Sequence, residues 1–213
     1  MKLLNGFLFY SILLICKAEE KEDVQDIKIF QSLFKRKRLE HKEAVKSIMK
    51  HDQQKQYKLI DAISRKIFQV LEESQIKLRE SGYVPGMPFP SDSKIRDALS
   101  LCLENTAFLS EILLHMPDIT HEFLKAEKSR TLILTWGIFF ASQSNFLDET
   151  TKKLIYLASQ ELSISEKDPD YVNPYKSKKS DAFALKEKPL KKKERKKKTF
   201  KKGPRLSSQF GDL

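Results

Sequence analysis

The chain has 213 residues, with 40 Lys and Arg against 29 Asp and Glu, a formal net charge of +11. That excess equals the excess of residues 176–213 alone, where 15 basic residues face 4 acidic ones, so the body before it is neutral and the whole reads as an ordered domain with an attached basic segment. Two cysteines, Cys16 and Cys102, exclude a disulfide-stapled mini-domain.

Met1–Ala18 joins one early positive charge at Lys2, a short apolar run from Leu3 to Cys16 and a small residue, Ala18, before Glu19-Glu20. These are the parts of a secretory signal peptide cleaved at Ala18. The run is short for a membrane span, which takes ~20 apolar residues. An uncleaved anchor and a buried core helix are the alternative readings.

No Gly or Pro occurs between Gly6 and Gly82. Ile27, Phe30, Phe34, Val45 and Ile48, then Ile60, Ile63, Ile67, Val70 and Leu71, recur at helical steps. The polar run Lys50–Gln56 predicts a turn, and with it two helices over about 22–50 and 54–81. Lys37, Arg38 and His41 interrupt the stripe, which argues against a long coiled coil. Ser81–Pro90 predicts a stiff connector pinned by Tyr83, Val84 and Phe89. Ser91 or Asp92 then caps a third helix with Ile95, Ala98, Leu99, Cys102, Thr106, Leu109, Leu113 and Met116 inside. Cys102 reads as a small buried apolar residue or, alternatively, as one half of a mixed disulfide with a partner.

Pro117 ends that helix and a short fourth runs to about Ala126. Ser129 is expected to cap a fifth, with Leu132, Ile133, Trp136, Phe139 and Phe140, apolar nearly all round and therefore central in the bundle. Trp136 reads as core or as a partner contact. Gly137 within it predicts close approach of a neighbouring helix. Asp148 caps the last helix, with Leu154, Ile155, Leu157, Ala158 and Leu162. Glu166–Tyr175 should lie along the domain surface, and residues after Lys176 should be disordered when unbound. The predicted class is all-α: a signal peptide over 1–18, a compact bundle of about five to six helices over 19–165, and an extended basic tail over 166–213.

No catalytic, cofactor-binding or metal-ligating constellation is legible, and the expectation is a non-enzyme. The four histidines, His41, His51, His115 and His121, lack ligand spacing. The chemistry lies in Lys191, Lys192, Lys193, Arg195, Lys196, Lys197, Lys198, Lys201 and Lys202. In a cytosolic or nuclear protein these would meet nucleic acid. In the secretory lumen they would attract acidic proteins, acidic lipid head groups or sulfated glycans, with no direct nucleic acid; a merely solubilising tail is the alternative. The end, Gly211-Asp212-Leu213, is only loosely similar to a Lys-Asp-Glu-Leu retrieval signal.

Several blocks resemble the coiled-coil domain-containing protein 134 family: Gln53–Asp61, Phe68–Ser74, Pro88-Phe89-Pro90, Glu104–Phe108, Trp136-Gly137-Ile138, Gln160–Asp168 and Lys202–Arg205. They keep order and spacing over about residues 27–205. The resemblance implies a helical protein of the endoplasmic reticulum lumen, partly secreted. It implies an adaptor for nascent endoplasmin and the translocon oligosaccharyltransferase that limits excess N-glycosylation. It also implies two alternatives: a secreted regulator damping mitogen-activated kinase signalling, and a nuclear adaptor acting through the basic tail. Family members usually end in a Ser-Glu-Leu type signal, from which Gly211-Asp212-Leu213 departs.

Overall fold

In the computed structural model the described residues are 2–175, with side chains described over 24–175. The chain divides into two units, Met1–Lys178 and Lys179–Leu213, and the second lies outside the described residues. The first is all-α: α1 Lys2–Met49, α2 Gln53–Glu80, α3 Ser93–His115, α4 Pro117–Lys125, α5 Lys128–Ser142 and α6 Glu149–Glu161. The backbone is helical from Lys2, well before the expected start near residue 22. None of the helices is long and apolar enough to cross a membrane among the described residues.

The turns follow local chemistry. The Asp52 carboxylate accepts from the Lys55 N–H, and the Gln56 amide donates to the carbonyls of Met49 and His51, closing α1 against α2. Gly82, at φ +72°, ends α2: its N–H bonds Arg79 O and the Tyr83 N–H bonds Leu78 O, a Schellman closure in which a left-handed residue is required. Asp92 and Asp148 cap α3 and α6 through the N–H groups of Lys94 and Ile95 and of Thr151. Ser129 does not cap α5. The cap position is Glu127, and the Ser129 hydroxyl in the first turn donates to the Glu127 carboxylate.

Helix α3 is the axis, packed against α1, α2, α4, α5 and α6. Burial along it exceeds one face, because Leu103, Ala107, Ile112 and Leu114 are enclosed with the expected stripe. Helix α1 lies beside it in parallel: Asp26 pairs with Arg96, and Arg38 further on pairs with Glu111. Arg38 and His41 thus continue the buried stripe of α1 rather than interrupting it. Arg38 also donates to Ala107 O, and His41 stacks on Phe108 at 4.3 Å. In the connector Tyr83 and Phe89 are buried, but Val84 is exposed. Phe89 sits 5.4 Å from Phe30 and 5.2 Å from Phe146, tying the connector to α1 and to the α5–α6 loop.

The expectation of a central α5 is corrected. Ile133, Leu134, Ile138 and Phe140 face inward, but Leu132 is 70% and Phe139 58% exposed. Gly137 fulfils its expected role. A Cβ there would stand 2.6 Å from Thr106 Oγ1, so α5 crosses α3 at glycine distance with one side of the helix left outside.

Candidate functional site: the α5–α6 face and its strap

A groove of about 600 Å³ opens between α5 and α6. Ile138, Ile155 and Ile164 line it, with the exposed rings of Phe139 and Tyr156 at its lips. Lys152 and Glu166 add charge to its lining. Leu132, seven residues before Phe139, extends the apolar row along α5 by two turns. Exposed apolar side chains grouped in this way mark contact surfaces more often than scattered ones do. Trp136 is half-buried, 5.2 Å from Phe140, and belongs to the packing beneath the row.

One rim of the groove is a strap, residues 164–175, held down by polar side chains. The Gln160 amide, 2% exposed, donates to Ser165 Oγ and Glu166 O and accepts from the Asp168 N–H. The Tyr171 hydroxyl donates to Leu157 O and to the Glu161 carboxylate. Burial, reinforced by that carboxylate, raises the Tyr171 pKa. Glu161 in turn lies 3.5 Å from His121 Nε2, and hydrogen bonding from His121, helped by Tyr171, lowers its pKa despite burial. Asn173 donates to Leu114 O at the end of α3, and the Tyr175 ring lies 4.6 Å from His115. This bears out the expected course of residues 166–175 along the surface. The clamps Gln160 and Asn173 were not legible from sequence, because an amide's partners, backbone groups and for Gln160 also the Ser165 hydroxyl, leave no periodic or spacing signal.

Among the candidate reactive side chains of the described body, His41, Cys102, His115 and His121 are committed to structure. Burial lowers the His41 pKa to about 4, aided by the Arg38 cation beside it. Cys102 is fully buried and its thiol is pushed up to about 12, so the mixed-disulfide reading fails for want of access. His115 and His121 are engaged with Glu111 and Glu161. No group of three or more His, Cys, Asp or Glu side chains suited to a metal occurs among the described residues. The tail cations from Lys191 to Lys202 and the terminus Gly211-Asp212-Leu213 lie outside the described residues. Ala18 falls within α1, in the part whose side chains are not described.

The family model described as "ERK and JNK pathways, inhibitor" matches residues 16–207. Two curated relatives carry the name coiled-coil domain-containing protein 134. The one from Xenopus tropicalis is 38% identical over 161 residues, covering 75% of this chain and 70% of its own. The one from Mus musculus is 34% identical over 199 residues, covering 88% of this chain and 86% of its own. No solved structure matches. With a family model spanning most of its length and relatives aligned over most of theirs, the chain belongs to the coiled-coil domain-containing protein 134 family.

Proposed function

We propose that the protein is a non-enzymatic adaptor of the endoplasmic reticulum lumen, partly secreted, whose helical body holds a protein client on the α5–α6 face. The client is nascent endoplasmin at the translocon oligosaccharyltransferase, whose excess N-glycosylation the adaptor limits. The observation that carries the protein-binding part is the exposed row Leu132 and Phe139 beside Tyr156, over a groove with an apolar floor and charge in its lining. A chain still folding exposes apolar segments that such a groove accepts. The Lys191–Lys202 cations add attraction to an acidic partner. The apolar run ending at Ala18 supports delivery to the lumen.

Protease protection of tagged protein in microsomes tests the compartment. The expected result is protection until detergent is added, with the first eighteen residues removed; digestion without detergent would overturn the reading. A second reading rests on the description of the matching family model, an inhibitor of ERK and JNK pathways. It places a secreted form outside the cell. Purified protein added to cells should then lower ERK and JNK phosphorylation within minutes.

A further inference from the structure

Most of the exposed cations paired on these helices have a carboxylate one turn away along the same helix. Lys37 pairs with Glu40 at 2.9 Å, Lys46 with Glu43 at 2.8 Å, Arg65 with Asp61 at 3.0 Å and Lys152 with Glu149 at 3.0 Å. Lys28, Lys35 and Lys42 break this habit. All three are exposed, and none forms an ion pair among the described residues. Their neighbours three and four positions away are Val24, Gln25, Gln31, Ser32, Arg38, Leu39, Val45 and Lys46, without one carboxylate. They recur every seventh residue, almost two full turns, so they form a line that drifts by only about 20° per step. At 1.5 Å per residue the line is about 21 Å long.

We infer that the outer face of α1 is a docking track for an unbranched polyanion, a sulfated glycan chain. Like charges set along one helix line repel, and none of the three is neutralised by an ion pair among the described residues. A linear anion neutralises them, and it releases its own counterions as it binds. A row one residue wide suits a thread better than the plane of a bilayer. Single-stranded nucleic acid calls for aromatic side chains on which bases stack, and the line carries none: Gln31, Ser32 and Leu39 fill the gaps. The inference rests on the lumenal and secreted reading only for where the glycan is met; binding in solution is independent of it.

The test uses the full chain on immobilised heparin. K28Q/K35Q/K42Q is compared with wild type and with a charge-matched triple on other exposed helix faces, K66Q/K77Q/K153Q. The row triple should elute at distinctly lower salt than both, and the slope of log affinity against log salt should fall by roughly three, at about one per lost contact. K28R/K35R/K42R should elute like wild type, and thermal unfolding should be unchanged in all. Equal shifts from the two glutamine triples would show net charge alone and overturn the track, as would no shift from either. So would a row triple that keeps heparin but loses phosphatidylserine vesicles or an oligonucleotide.

Discussion

Helices α3 and α5 are the two most apolar of the bundle, yet the chain treats them differently. α3 meets five other helices and encloses even a glutamate. α5 leaves Leu132 and Phe139 in solvent. Apolar composition therefore reports how much a helix could bury, and the positions of its neighbours decide how much it does. Where the two part, as on α5, the uncovered remainder is the place to look for a partner.

The largest test of the comparison removes the charge α3 encloses. Glu111→Ala leaves Arg38 buried without its counter-charge and should cost about 3–5 kcal/mol in urea unfolding. Replacing both by apolar residues, Arg38→Met with Glu111→Leu, should recover most of it.

The next tests where α3 and α5 touch. Gly137→Ala drives a methyl into Thr106 Oγ1 and should cost about 1–3 kcal/mol. Adding Thr106→Ala removes the clashing oxygen, which has no hydrogen-bond partner in the described structure, and should restore most of the loss.

His41 gives the comparison a pH signature. Its folded pKa, about 4, lies below the ordinary 6.5 because burial and Arg38 disfavour the cation. The unfolded chain therefore binds the proton first. Stability from this site is full well above pH 6.5 and declines as pH falls toward 4, by on the order of 3 kcal/mol. His41→Phe should flatten that part of the stability profile.

Asp148 works one helix away at smaller scale. Burial raises its pKa, but bonds from Thr151 and Thr150 outweigh it and the net shift is downward. Its contribution is present above the usual carboxylate range and is lost as pH falls through the lowered value. Asp148→Ala should cost about 1 kcal/mol at neutral pH and less in strong acid, where the carboxyl is neutral in the parent.

What was legible in the sequence is what is decided locally. Asp52, Asp92, Asp148, Gly82 and Pro117 punctuate the helices through groups a few residues away, and they stand where the pattern puts them. What was not legible depends on distant partners. Arg38 looked like a break in the α1 stripe because Glu111 lies 73 positions on. The surface course of residues 166–175 was expected without an anchor, and the Asn173 amide that supplies one reaches Leu114 O across 59 positions. Leu132 and Phe139 were assigned to the core because a helix apolar on all sides does not say which side is left uncovered. The tail cations are plain as charge, and their role follows from compartment rather than from fold.

The central claim is that the uncovered side of α5 is a contact surface. Phe139→Ser with Tyr156→Ser in the full chain should leave urea stability within about 0.5 kcal/mol, as surface changes do. The direct measurement is endoplasmin co-purified with this variant and with wild type from the same cells at matched levels. The account predicts a loss of most of the endoplasmin at unchanged stability; full recovery by the variant would contradict it.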